Sequence, residues 1–249
     1  MTYRPYEIHG EDRKSRWLIT CDHASNLVPD SLGGTLGLPA EDMERHIAYD
    51  IGAAGTSRAL ADALGCPAVL SRFSRLVIDP NRGNQDPTQL MRIYDGSVIP
   101  GNRAVDAAEH DRRRAAYFSP YHDAVSRLAD RHSDTVIVAM HSFTRQLRAR
   151  APRPWHVGVL FGWDSRLADP FIRLLNADPD LVVGANQPYA GYLPGDGIDR
   201  HALSHGRMNV LIELRQDLIE TPGNQQAWGE RLAPVLEAAL AETISGSKT

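Results

Sequence analysis

The chain has 249 residues, 42% of them hydrophobic and 23% charged, with 27 Lys plus Arg against 31 Asp plus Glu and a formal charge of −4. This composition excludes disordered, collagen-like and coiled-coil chains, and the mild net acidity argues against a nucleic-acid partner bound through bulk positive charge. No apolar run approaches the roughly 18 to 20 residues of a membrane span and the N-terminal MTYRPYEIHGEDRKSRW lacks a signal-peptide apolar core, so a cytoplasmic protein with no membrane partner is expected.

In chain order, the first strand is predicted over 16–21 (Arg-Trp-Leu-Ile-Thr-Cys). A helix follows over 41–64, where Ile47, Ile51, Ala54, Ala61 and Leu64 recur at helical spacing, with Gly52 and Gly55 weighing against it. Strands are expected at 67–71 and 75–79, and then an irregular segment rich in Gly, Pro, Asn and Asp runs over 80–101. Residues 102–131 read as helical with a break at Pro120, and Arg112, Arg113 and Arg114 as a solvated helix face. Strands at 134–140, 156–161 and 181–185 precede a second irregular segment over 186–207 and a last strand at 208–214. The final helix is the clearest: Thr221 can cap it, Pro222 suits its first turn, and Trp228, Leu232, Val235, Leu236, Ala239 and Leu240 form one stripe ahead of the polar tail Ser-Gly-Ser-Lys-Thr.

Strands alternating with helices are an α/β grammar, and strands apolar throughout predict a sheet covered on both faces. One domain over 1–249 is expected, since no linker interrupts the pattern. Irregular segments as long as 80–101 and 186–207 are expected to wall or cover a site. Cys21 and Cys66 form no C-x-x-C pair, so neither a disulfide scaffold nor a thiolate metal site is supported, and both read as buried thiols.

Four polar clusters fall at the ends of predicted strands, where open α/β sheets place ligand sites. His23, in Cys21-Asp22-His23-Ala24-Ser25-Asn26, can offer a neutral imidazole nitrogen to zinc, with Asp22 or a main-chain carbonyl orienting the other; the alternative is a hydrogen-bonded structural histidine. His141 repeats the strand-then-His arrangement. Two imidazoles at one sheet edge, with a carboxylate as third ligand and a fourth position for water, are what a catalytic zinc site needs. Glu213 interrupts the apolar Asn209-Val-Leu-Ile-Glu-Leu-Arg215 run, so it is either neutralised by Arg215 on the same face or kept as a general base with a raised pKa. Arg75 and Arg82 flank the predicted strand at 75–79 and can receive a carboxylate or an oxyanion, the alternative being an Asp79–Arg82 ion pair in a turn. His46 and Asp50, four apart, would share a helix face, which makes Asp50 a candidate third ligand against a solvated first helical turn. His110, His122, His132, His156, His201 and His205 carry no comparable signal. No G-x-S-x-G elbow, P-loop, dinucleotide G-x-G-x-x-G or H-E-x-x-H motif occurs, which removes the commonest serine hydrolases, P-loop enzymes, Rossmann dehydrogenases and helix-borne zinc proteases.

The ordered set Cys-Asp-His-Ala-Ser-Asn, His-Ile-Ala-Tyr-Asp-Ile-Gly-Ala, Ser-Arg-Leu-Val-Ile-Asp-Pro-Asn-Arg, His-Ser-Phe, Asn-Gln-Pro-Tyr and Ile-Glu-Leu-Arg resembles the N-formylglutamate amidohydrolase family over nearly the whole chain. The resemblance, and that family's kinship with zinc carboxypeptidases and aspartoacylases, implies a three-layer α/β/α fold with a mixed central sheet of the phosphorylase/hydrolase-like kind, one Zn2+ ion and hydrolysis of an amide in a small acidic substrate. Carried over by position, it makes His23 and His141 the zinc histidines and Glu213 the catalytic glutamate. Asn81 and Arg82 become the pair that grips a substrate carboxylate, with Arg145 as a further candidate, and Arg75 the group that polarises the scissile carbonyl. Zinc carboxypeptidases take their third ligand from His-x-x-Glu, where this chain has Asn26; Asp50 is therefore favoured, ahead of Asn26 and Asp22. The implied reaction is N-formyl-L-glutamate to formate and glutamate, as in histidine degradation. Its alternatives are deacylation of another N-acyl amino acid or peptide-like amide, a non-catalytic carboxylate-binding module favoured by Asn26, and a structural homo-oligomer with vestigial polar edges.

Overall fold

The computed structural model describes residues 3–246; residues 1–2 and 247–249, the latter including Lys248 of the expected polar tail, lie outside the described residues. The strands are β1 (Tyr6–His9), β2 (Trp17–Cys21), β3 (Ala68–Ser71), β4 (Ile93–Tyr94), β5 (Ser97–Val98), β6 (Val136–Phe143), β7 (Val157–Leu160), β8 (Val183–Ala185) and β9 (Asn209–Arg215). The helices are α1 (Ala40–Met43), α2 (Ala53–Ala63), α3 (Ala107–Arg113), α4 (Ser119–Ala129), α5 (Ala168–Leu175), α6 (Gly197–His201) and α7 (Pro222–Gly246). Seven strands form one mixed sheet in the order β1-β3-β2-β6-β9-β7-β8, and β4 with β5 makes a separate hairpin. The central strands β3, β2, β6 and β9 run parallel, β1 pairs antiparallel with β3, and β7 pairs antiparallel with β9.

Both faces of this sheet are covered, which is why β2, β6 and β9 read as nearly continuous apolar runs. Val136, Val138 and Met140 of β6 pack with residues of α2, α5 and α7 on one side, while Ile137 and Ala139 pack with α4 and α6 on the other. The period-two alternation therefore puts His141 on the face of Ile137 and Ala139. The result is the expected three-layer α/β/α arrangement, and no helix among the described residues is long and apolar enough to cross a membrane.

Several local expectations are corrected. Residues 75–79 are a buried turn rather than a strand: Ser74 Oγ accepts from the Leu76 N–H, and Leu76, Val77 and Ile78 are inserted into the core. An apolar triplet marks burial whatever the backbone does. The helix expected over 41–64 is two pieces, α1 and α2, with irregular chain between them, so His46 and Asp50 share no helix face. The break is set by Gly52, which precedes α2 at φ 80° and whose missing Cβ leaves room for the Ile219 carbonyl oxygen 2.3 Å from the Cβ position. Pro120 does not break its helix, because a π turn over Arg114–Phe118 precedes α4 and places the proline in the first turn, where its missing N–H costs little. Arg113 is buried and donates to the Val77 carbonyl and to Asn102 Oδ1; only its neighbours keep the solvated character expected of all three arginines. β1 and the β4–β5 hairpin have no apolar run to announce them.

At Gly52 the left-handed backbone and the close carbonyl act together. Gly52→Ala is expected to lower the stability of the protein by about 2–4 kcal/mol. Urea unfolding measures this, and an unchanged midpoint would mean that the bend ahead of α2 is not fixed by Gly52.

Candidate active site

The parallel alignment of β2, β6 and β9 brings three distant segments to one edge of the sheet. His23 follows the C-terminal end of β2, His141 lies near the end of β6, and the β6–β9 register sets Glu213 directly opposite His141. The chain between α1 and α2 then folds back so that the Asp50 N–H donates to the His23 carbonyl at 2.9 Å. Its carboxylate is delivered to the histidines: Asp50 Oδ2 lies 3.3 Å from His23 Nδ1 and 2.9 Å from His141 Nδ1, and also accepts from the Ser142 N–H.

Both imidazoles turn their Nε2 atoms to other carboxylates. His23 Nε2 is 2.7 Å from Asp79 Oδ1, and His141 Nε2 is 3.2 Å from Asp22 Oδ2. Carboxylates accept only, so Nε2 of each ring donates to Asp79 or Asp22; Nδ1, which faces the accepting Asp50 Oδ2, donates to it when protonated and can offer its lone pair to a cation once that proton is lost. Asp22 or a main-chain carbonyl was expected to orient His23; Asp79 does so, and Asp22 supports His141 instead. Each support is itself fixed. Arg75 donates Nε and Nη2 to Asp79 Oδ2, and the Tyr121 hydroxyl donates to Asp22 Oδ1. Burial disfavours ionisation of Asp22, yet hydrogen bonding and charge from His141, with Tyr121 and His23, carry its carboxyl down to about 2. Burial likewise opposes Asp79, but Arg75 and then His23 hold it well below the usual carboxylate range. Asp50 is lowered in the same way by the two histidines against burial.

His23, Asp50 and His141 each offer a ligand atom, all within 4.8 Å of one another and all buried. Two imidazole nitrogens and one carboxylate oxygen suit a divalent cation of nitrogen and oxygen preference, so the residues fit a metal. Of the other third-ligand candidates, Asn26 turns away and donates its amide to the Met43 carbonyl and Glu44 Oε1, while Asp22 stands behind His141. His46 faces Asp95 at 3.3 Å instead of joining Asp50.

Glu213 is 6% exposed and its Oε2 has no hydrogen-bond partner. Arg215, the expected neutralising partner, forks onto Asp217 instead. Burial therefore raises the Glu213 carboxyl to about 7, against the lowering influence of His141 and with Asp50 adding to the rise. Glu213 borders a cavity of about 410 Å³ that also exposes His23, Asp50, Arg75 and His141. Both long irregular segments wall it: the first supplies Asn81, Arg82 and Tyr94, the second Pro188–Gly191, Leu193, Asp196 and Ile198. The second segment lies close because β7 carries Gly158, where a Cβ would sit 2.1 Å from the Gln187 carbonyl oxygen.

Arg75 Nη1 stands 3.5 Å from Asp50 Oδ1, so one arm of the guanidinium faces the cluster while the rest grips Asp79. Arg82 donates Nε to Thr88 Oγ1 and Nη1 to the Asn81 carbonyl, and its expected pairing with Asp79 is taken by Arg75. Asn81 Oδ1 accepts from the Gly197 N–H, tying the two walls together. Arg145 is not part of the cavity wall; its side chain is 65% exposed and faces Asp217 at 4.0 Å. The sequence reading missed Asp79 and Tyr121 as supports and Tyr94 and Asp196 as lining groups. It also missed the buried His122–His201 contact at 2.8 Å, through which His122 Nε2 reaches the Pro80 carbonyl beside Asn81. Tyr94, Tyr121 and the two histidines have no spacing signal, since each meets its partner only through the fold, whereas Asp79 stands four residues after Arg75 and Asp196 caps α6 by accepting from the Asp199 N–H.

A three-layer α/β protein with a buried His-Asp-His cluster beside an unpaired carboxylate is built as a hydrolase. The chain belongs to the N-formylglutamate amidohydrolase family, whose model matches residues 15–220, and it is an amidohydrolase that acts on an N-acyl amide. It is similar to the crystal structure of a gene product of Agrobacterium tumefaciens, with 36% identity and a TM-score of 0.90 over 96% of each chain. The N-formylglutamate amidohydrolase of Ralstonia eutropha shares the fold at 21% identity and a TM-score of 0.69, over 95% of this chain and 99% of that one. No match was found among curated protein sequences.

The raised Glu213 carboxyl has a consequence for stability. Stability from its neutral form is fully present below its unfolded pKa of 4.5 and lost as pH rises through about 7. In chelator, Glu213→Gln is expected to match the wild type near pH 4 and exceed it at pH 8.5 by on the order of 3 kcal/mol. Chemical denaturation at the two pH values checks this, and a variant less stable than wild type at pH 8.5 would contradict it.

Proposed function

We propose that the chain hydrolyses the amide bond of an N-acyl amino acid, with one zinc ion held by His23, Asp50 and His141. N-Formyl-L-glutamate, giving formate and glutamate, is the reaction that the family name puts first for assay. The observation that carries this reading is an unpaired buried carboxylate, Glu213, beside a three-ligand set. When bound there, zinc supplies a Lewis acid and eases the ionisation of water.

Glu213 accepts a proton from water as the water oxygen bonds to the carbonyl carbon. It then hands that proton to the amide nitrogen as the C–N bond breaks, releasing a carboxylic acid and an amine. A carboxyl titrating near 7 suits both halves of that exchange. Arg75 Nη1 donates to the carbonyl oxygen as it gains negative charge, while the Asp79 fork prevents the guanidinium from swinging away. Arg82 and Asn81 hold the substrate carboxylate, for which Arg82 Nη2 has no other hydrogen-bond partner among the described residues. Asn26, the feature that favoured a non-catalytic module, takes no part in the ligand set.

Glu213→Gln should lower kcat by about 10²–10⁴-fold while zinc binding is kept. In the wild type, kcat/KM should rise with pH as Glu213 gains its charge, with a midpoint below about 7 because a bound dication favours the carboxylate. Turnover should be lost in chelator and restored by zinc; full activity in chelator would sink the metal-dependent reading.

A further inference from the structure

The charges and the apolar surface around the cavity are unevenly placed, and this bears on what the substrate carries besides its amide. The guanidinium groups lining the cavity are those of Arg75 and Arg82. Arg75 is committed to Asp79 by two hydrogen bonds and stands beside Asp50, which leaves Arg82 as the receiver of one carboxylate. A second anionic group would instead meet acid: Asp196 and Glu213 both line the space.

Below the catalytic edge the cavity is hydrocarbon. Leu211 lies two residues before Glu213 on the same face of β9, Leu160 is its partner across β7, and Ile198 of α6 packs over them. All three are at least nine-tenths buried core residues, so the floor is rigid, and Leu193 closes it from the irregular wall. We infer that the substrate carries a single carboxylate and an uncharged hydrocarbon group beside the scissile amide, seated on Leu160, Ile198 and Leu211. This rests on the hydrolytic reading above and refines it: N-acyl derivatives of apolar or small neutral amino acids are preferred to N-formyl-L-glutamate, whose second carboxylate finds no lining guanidinium beyond Arg75 and Arg82 to replace its hydration.

The test compares N-formyl-L-glutamate with N-formyl-L-leucine, whose hydrocarbon is on the amino-acid side, and N-hexanoylglycine, whose hydrocarbon is on the acyl side. Calorimetry on zinc-loaded Glu213→Gln reads binding, and kcat/KM on the wild type reads hydrolysis. Each buried methylene contributes about fourfold in affinity, so at least one apolar ligand should bind tenfold or more tighter than N-formyl-L-glutamate. The ligand that does so identifies the side served. The Gln variant removes a negative charge and so favours the dianion, which makes the comparison a strict one. Leu193→Lys, at a half-buried wall position, should shift the ratio at least tenfold toward N-formyl-L-glutamate with an unchanged melting temperature. N-Formyl-L-glutamate binding as well as either apolar ligand overturns the inference, as does an unmoved ratio in folded Leu193→Lys. Tenfold tighter apolar binding without hydrolysis of any amide would support the hydrocarbon floor and refute the hydrolytic reading. Failure of all three ligands to bind would refute both.

Discussion

Asp50 Oδ2 is the point on which the site turns, because it meets the Nδ1 atoms of two histidines that arrive from different strands. Burying so many carboxylates at one sheet edge is costly unless each finds a partner. Asp79 has Arg75 and His23, Asp22 has Tyr121 and His141, and Asp50 has both imidazoles and the Ser142 N–H. Glu213 alone lacks a partner for its Oε2. The fold satisfies its supporting acids and leaves Glu213 unpaired, which is how its carboxyl comes to titrate near neutrality.

The sheet makes this arrangement affordable in conformational terms. Adjacent parallel strands β6 and β9 set His141 and Glu213 side by side, and β2 ends two residues before His23, so the turn that carries it is anchored to the same edge. The loops act on either side of that rigid edge. One wall brings Asn81 and Arg82, the other brings Asp196 and Ile198, and the Asn81–Gly197 hydrogen bond links them. Charge is thereby concentrated at the strand ends while the floor over Leu160 and Leu211 stays apolar.

Much of this was legible in the sequence, for a physical reason. Strands covered on both faces announce themselves as apolar runs, and a polar residue just past such a run, as at His23 and His141, stands at the ligand edge. Glu213 was visible because a carboxylate inside an apolar strand demands an explanation. Asp50 was reached by analogy and by a helix that does not exist there; the turn ending at Gly52 delivers it instead. The apolar triplet Leu76-Val77-Ile78 imitated a strand because a buried turn needs the same side chains. Tyr121 was silent because its partner Asp22 is distant in sequence, and Asp79 read only as a turn ion pair because His23, which it supports, lies 56 residues away. Arg113 misled because an arginine can be buried when carbonyl and carboxamide acceptors wait for it.

The central claim is that His23, Asp50 and His141 share one ion. X-ray absorption at the zinc edge, on protein loaded to one equivalent, reads the ligand atoms directly. The account predicts a first shell with two imidazole nitrogens and carboxylate oxygen, falling to one imidazole in His141→Ala. A spectrum free of imidazole scattering, or one that His141→Ala leaves unaltered, would contradict it.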